Sequence, residues 1–501
     1  MKSASKQIKY GALISYFSIG ISIFLGLLYT PWIIKVIGKE DYGLYTLSLS
    51  VISFFAFDFG LSAAVQRFIA RYLARNEKQR VNDFLGVITK MYLSIDVFTF
   101  IVFAAVYFFI PTIYKELSPI EIEKFKIIYI ISASYSVLSF PFIPLSGIIS
   151  AHEKFIPLKL CDLGHKVLIP VIMIILLEMG FGLYALVSVN AAIGVLTIIA
   201  KLVVIAKTTE VRPSFRNRTN ENPRQIIAFS GWTTVIALSQ RCIFNIVPTI
   251  LGAFAGAAHI AVFGVSAALE GYVFLFANAI NGLFLPKVTR IYNEGKSILP
   301  LMIKVGRLQL FAISWIFVGF ILVGKDFVHL WLGDGFEDAY WATLLLIIPS
   351  YFALPQDIAD QAILAENKVK YRAKVYIRMA LLNLALSIPG AYFFGIIGVA
   401  VSIFISYMVR TIMMNFVYYK QLKIDVLVFF KETILKQSLS LIASYFLSAL
   451  CILYIPVWGW LGLVIRGSII IIVYVVISCC LYLNFEERKL VFGLVTSRNK
   501  K

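Results

Sequence analysis

Apolar runs of about 20 residues, the length that crosses a bilayer as one helix, recur along the whole chain. They cover 10–34, 41–66, 84–110, 125–150, 160–177, 182–206, 226–254, 260–286, 301–324, 338–364, 373–394, 396–419, 434–455 and 460–484. The pattern predicts an all-α integral membrane protein of fourteen transmembrane helices. The polar segments between the runs are short, and no GxxxxGK[ST] stretch occurs. That leaves no room for a nucleotide-binding or catalytic domain and argues against an enzyme.

Composition agrees: 60% of the 501 residues are hydrophobic and 15% charged, too apolar for a multidomain soluble enzyme. The 46 Lys+Arg against 27 Asp+Glu give a formal charge of +19, which in a soluble chain would point to nucleic acid. Here position explains it, because Lys and Arg gather on the cytoplasmic flanks of membrane helices. With the amino terminus inside, 36 of the 46 basic residues fall on the cytoplasmic side. External loops hold only Lys35, Lys39, Lys115, Lys124, Lys126 and Lys325, and Lys90, Arg241, Arg410 and Arg466 lie within helices. The expected location is the plasma membrane, multi-pass, with both termini cytoplasmic and no nucleic-acid partner. The apolar run from Gly11 to Trp32 is too long for a signal peptide core and lacks a small-x-small cleavage site, so it reads as the first span. Cys161, Cys242, Cys451, Cys479 and Cys480 sit in apolar runs and the four histidines are scattered singly, so neither a metal site nor a cofactor is expected.

The chain also reads as a duplication. GKEDYGLYTLSLSV from Gly38 matches GAAHIAVFGVSAAL from Gly256, and AHEKFIPLKL from Ala151 matches AENKVKYRAK from Ala365. FGLYALV near Gly182 likewise matches IIGVAVS near Gly398. Both copies start on the cytoplasmic side, so the repeat is parallel. It predicts an N-terminal lobe of helices 1–6 (1–206), a cytoplasmic linker (207–225), a C-terminal lobe of helices 7–12 (226–419), and helices 13–14 with a cytoplasmic tail (420–501). Such repeats mark transporters with a central cavity between lobes and alternating access.

The segment GKEDYGLYTLSLSVISFFAFDFGLSAAVQRFIARY carries Tyr42-Gly43-Leu44-Tyr45, and Asp58-Phe59-Gly60-Leu61 ahead of Arg67. It resembles the bacterial polysaccharide flippases, the O-antigen and capsule repeat-unit translocases of the multidrug/oligosaccharidyl-lipid/polysaccharide flippase superfamily. Phe229-Ser230-Gly231-Trp232 and Leu285-Pro286 in the second lobe agree. Gln240-Arg241 departs from the pattern, since relatives often show an acidic residue there. The resemblance implies translocation of an undecaprenyl-pyrophosphate-linked oligosaccharide from the inner to the outer leaflet for surface polysaccharide synthesis. Membrane lipids, a polymerase and glycosyltransferases of the same pathway are then the expected partners, with an H+ or Na+ gradient or the membrane potential as driving force. The competing readings are an ion-coupled multidrug/cation antiporter of the same superfamily, a lipid II flippase, and a membrane polymerase or ligase, which would need a large external loop.

Ionisable groups inside a membrane are costly and mark function or a named partner. Arg241 and Glu270 fall at similar depth, either as a mutual ion pair or with Arg241 facing the cavity to meet pyrophosphate and Glu270 serving ion coupling or gating. Asp58 and Asp96 also share a depth, where two carboxylates share a proton or cation or separately make polar helix contacts near the cytoplasmic mouth. Asp357 and Asp360 lie opposite Arg378 as a structural ion pair. Lys166 and Arg307 either snorkel to headgroups or make the first contacts to pyrophosphate. Arg410 is deeper, a further cavity cation. Pro141, Pro144, Pro170, Pro248, Pro349, Pro355 and Pro389 are expected to bend their helices.

Overall fold

The computed structural model describes the chain except residues 1, 56–60, 212–213, 215–222, 282–287, 289, 292–293, 295, 367, 457–458 and 490–501. The described residues are helical, and twelve helices among them are long and apolar enough to cross a membrane. One of the twelve, Val369–Leu422, is two helices joined at Gly395, whose φ of 56° breaks the helical run. Lys39–Phe55 and Leu61–Ala74 flank residues 56–60 and together cover the expected second span. Counting Val369–Leu422 as two gives thirteen, roughly consistent with the fourteen read from the apolar runs, of which the second lies partly outside the described residues.

In chain order the helices are α1 (Lys2–Ile37), α2 (Lys39–Phe55), α3 (Leu61–Ala74), α4 (Lys78–Ile113), α5 (Pro119–Ser139), α6 (Leu145–Ala151), α7 (Phe155–Glu178) and α8 (Gly182–Thr208). They continue as α9 (Pro223–Phe244), α10 (Val247–Phe254), α11 (Ala257–Asn281), α12 (Leu299–Leu332), α13 (Asp338–Ala353) and α14 (Asp357–Ala365). The last four are α15 (Val369–Leu422), α16 (Val426–Phe430), α17 (Lys436–Ile452) and α18 (Gly459–Leu481).

Proline accounts for some of the breaks and not others. A 3-10 turn at Phe140–Phe142 parts α5 from α6 where Pro141 and Pro144 stand, α9 gives way to α10 just before Pro248, and Leu354–Gln356 parts α13 from α14 at Pro355. Pro170, Pro349 and Pro389 lie inside continuous helices. α5 starts cleanly because Ser118 Oγ accepts from the Glu121 backbone N–H while the Glu121 carboxylate accepts from Ser118 N at 2.7 Å, a capping box with Pro119 at the first position.

The chain forms two compact units. The N-terminal unit comprises Met1–Gly264 with Leu384–Ile396, and the C-terminal unit Val265–Asn383 with Ile397–Lys501. Within the first, Val65, Ile69 and Tyr72 of α3 bury against Phe84 and Tyr92 of α4 and against Phe140 and Leu145. The Tyr42-Gly43-Leu44-Tyr45 motif now has a packing reason. A Cβ on Gly43 would lie 2.1 Å from the Ala257 carbonyl oxygen, so only glycine lets α2 meet the start of α11. Leu44 is fully buried, and Tyr45 accepts a hydrogen bond from Asn190 of α8 at 2.9 Å.

In the C-terminal unit, Ser440, Ser444 and Ser448 place a buried stripe of small residues on α17 facing α18, where the Ser440 and Ser478 hydroxyls are 2.9 Å apart. Small side chains allow the close helix approach that membrane packing relies on. Gln437 donates to Tyr474, which donates to the Phe311 carbonyl of α12. The outward surfaces are apolar, as with Phe98, Phe100 and Phe108 of α4, which suits lipid rather than water.

Candidate functional site: the charges among the membrane helices

Asp360 of α14 is the centre of the largest buried charge cluster described. Tyr418 donates to its Oδ1 at 2.8 Å, and Arg372 approaches Oδ2 at 3.4 Å and Arg410 at 4.0 Å. Tyr376 lies between the two guanidiniums, whose carbons are 5.2 and 5.1 Å from its ring centre, and Arg410 also lies 5.7 Å from the Tyr407 ring. Two cations thus share one carboxylate, and stacking on aromatic faces helps offset their desolvation. The Nε of each arginine is buried without a hydrogen bond among the described residues.

This corrects the expected Asp357–Asp360–Arg378 set. Arg378 is exposed and forms no ion pair among the described residues, Arg372 takes its place, and Asp357 accepts from Gln361 at 3.3 Å. Arg410, expected as a cavity cation, approaches the Asp360 carboxylate in this cluster.

Arg307 is corrected in the same sense. It is 4% exposed, its Nε and one terminal nitrogen meet the two oxygens of Glu487 at 2.8 and 2.9 Å, and its other terminal nitrogen donates to the Glu432 carbonyl at 3.0 Å. It donates as well to the Tyr482 carbonyl and stacks on that ring at 4.3 Å. A guanidinium so fully engaged ties α12 to the ends of α16 and α18.

The other expected residues are distributed between the units. In the N-terminal unit Arg241, near the end of α9, donates to the backbone carbonyl of Ser53. Asp96 of α4 has its Oδ1 buried without a hydrogen-bond partner among the described residues, and Asp58 lies outside the described residues. Lys166 is exposed and lines a cavity of about 600 Å³ together with Lys159, Asp162, His165 and Lys201. In the C-terminal unit Glu270 accepts from Ser350 at 3.3 Å. Lys159 and Lys201 were counted as cytoplasmic charges only; the i, i+3, i+7 spacing of Lys159, Asp162 and Lys166 on one helix face was the signal that could have found the cavity. No group of three or more His, Cys, Asp or Glu suited to a metal ion occurs among the described residues.

Membrane-spanning helices throughout, with charged and polar side chains among them, define a multi-pass membrane protein. Its sequence places it further: the chain belongs to the family described as polysaccharide biosynthesis protein, whose profile matches residues 8–291. Among solved structures, the lipid II flippase MurJ in an inward closed conformation is similar with a TM-score of 0.72 and 15% identity, over 96% of this chain and 99% of that one. An inward-facing multidrug resistance MATE family transporter of the MOP superfamily is similar at 0.63 and 14%, over 80% and 93%. The MATE multidrug transporter DinF-BH is similar at 0.58 and 15%, over 84% and 96%. These likenesses share the fold. No curated protein sequence matches the chain.

Proposed function

We propose that the protein is a flippase that carries an undecaprenyl-pyrophosphate-linked oligosaccharide repeat unit from the inner to the outer leaflet of the bacterial plasma membrane by alternating access, for O-antigen, capsule or exopolysaccharide synthesis. The observation that carries this reading is the polysaccharide biosynthesis family match over residues 8–291 on a fold shared with a lipid flippase. The process is translocation without a chemical transformation. Its physical problem is to move a sugar and two phosphates past hydrocarbon, where an unpartnered anion is very costly. With Arg307 and Arg410 held in internal pairs, the cations offered to the phosphates are Arg241 and Lys166, and the carboxylates offered to a coupling H+ or Na+ are Asp96, with its unpartnered oxygen, and Glu270. A polymerase and glycosyltransferases of the same pathway act beside it.

A drug/cation antiporter is the second reading, favoured by the fold likeness to MATE transporters. Purified protein in proteoliposomes separates the two. Time-dependent exposure of a lipid-linked glycan on the far leaflet, unaffected by a cationic dye, is the expected result. Dye export without glycan movement would overturn it.

A further inference from the structure

We propose that the cavity inside the N-terminal unit is a binding site for a lipid-borne diphosphate diester. The inference rests on the flippase reading for the identity of the cargo, and on the cavity itself for the site.

Its walls come from α1, α5, α6, α7 and α8. Lys159, Asp162 and Lys166 project from one face of α7, and Lys201 reaches in from α8, 3.0 Å from Asp162 and 3.1 Å from the Ser146 hydroxyl. Lys159 is 3.8 Å from the same carboxylate, while Lys166 forms no ion pair among the described residues. The cavity therefore holds three ammonium groups and one carboxylate, an excess of two positive charges. A diphosphate diester carries two negative charges at neutral pH, one on each phosphoryl group, whereas a phospholipid phosphodiester such as phosphatidylglycerol carries one.

The remaining lining suits the same ligand. Ser15, Ser18, Ser139 and Ser146 keep the volume open and offer hydroxyls, whereas Ile19 and Phe142 give an apolar wall where a prenyl chain can begin. His165 adds a polar contact: Thr197 spends its hydroxyl proton on the Ile193 carbonyl at 2.8 Å, so at 3.1 Å it accepts from His165 Nδ1, which fixes the ring. Asp162 holds Lys159 and Lys201 together against their mutual repulsion, and a bound anion would compete with it for them.

That competition gives variants of opposite sign. The test is binding of farnesyl-diphospho-N-acetylglucosamine to the purified full-length protein in detergent, with phosphatidylglycerol and inorganic pyrophosphate as parallel probes. Lys159→Gln and Lys166→Gln are each expected to weaken the glycolipid by about tenfold, the order of one charge-assisted hydrogen bond. Asp162→Asn is expected to tighten it, and Lys325→Gln, outside the cavity, to leave it unchanged. Thermal unfolding of each variant confirms that it is folded. Affinity indifferent to Lys159, Asp162 and Lys166 would overturn the site, and phosphatidylglycerol binding as tightly as the diphosphate would overturn the charge match. Binding that responds to the lysines in a protein that moves no glycan would sink the flippase reading and leave the site standing. Glycan movement with binding indifferent to the lysines would do the reverse.

Discussion

The AHEKFIPLKL segment opens α7 beside the lysine cavity, and its counterpart AENKVKYRAK opens α15 beside the Asp360 cluster. The two polar centres thus stand beside segments that resemble each other in sequence, yet one opens into a cavity and the other gathers its arginines around a carboxylate. Around Asp360 stand Tyr376, Tyr407 and Tyr418, and both arginines approach the Asp360 carboxylate. Around Asp162 three lysines, serines and Thr197 share the lining with Tyr135, Phe142 and isoleucines, and about 600 Å³ stays open. Arginine stacked on tyrosine fixes an arrangement, whereas lysine in excess over acid leaves charge for a ligand. The first centre ties α14 to the two halves of α15; the second is the one proposed above to receive an anion.

The harshest way to break this contrast is Asp360→Asn, which removes the carboxylate that the half-buried Arg372 and Arg410 both approach. We expect a loss of about 3–5 kcal/mol, the cost of removing one partner of a buried pair, seen as a large fall in melting temperature. The double variant Asp360→Asn/Arg372→Gln should recover part of it. Next comes Arg307→Met, which leaves Glu487 buried and unpaired. It should cost about 3 kcal/mol, and Arg307→Met/Glu487→Met much less. Gly43→Ala forces a methyl into the Ala257 carbonyl and should cost about 1–3 kcal/mol by overpacking, again read by thermal unfolding.

Smaller effects sharpen the contrast from the open side. Ser146→Phe should fill the lysine cavity with little change in melting temperature while abolishing glycolipid binding. The smallest effect is at the Lys78–Glu210 contact, whose side chains are 74% and 82% exposed. The 2.6 Å hydrogen bond from Lys78 holds the Glu210 carboxyl below the usual carboxylate range. A depressed carboxylate contributes above its unfolded value and loses that contribution as pH falls through its folded one. With both partners in water, however, Lys78→Ala should leave the melting temperature unchanged at neutral pH.

Much of the fold was legible because a membrane helix announces itself by length and apolarity, and the turn glycines repeat. Gly38 and Gly256 have φ of 91° and 86°, Gly180 and Gly395 have 87° and 56°, and each pair stands at the offset that the sequence matches already suggested. Depth could be read for the charges by counting residues from a turn, but helical phase and partners distant in sequence could not. Arg378 was placed opposite Asp360 by depth. It lies six residues beyond Arg372, about 240° around the helix, and so points away while Arg372 and Tyr376, four apart, share the face that meets Asp360. The partner of Arg307 is Glu487, 180 residues on, beyond any hairpin measure. Of the cavity's lysines the sequence singles out Lys166 as a pyrophosphate contact, whereas Lys159 and Lys201 are already explained by topology.

The most direct measurement is the rate of leaflet translocation of a lipid-linked glycan per folded protein in proteoliposomes, for the wild type, Lys166→Gln and Asp360→Asn/Arg372→Gln side by side. The account predicts translocation by the wild type, a rate about tenfold lower for Lys166→Gln at an unchanged melting temperature, and a near wild-type rate for the double variant despite its lower stability. No glycan movement by the wild type, or a full rate in Lys166→Gln with the double variant inactive, would contradict it.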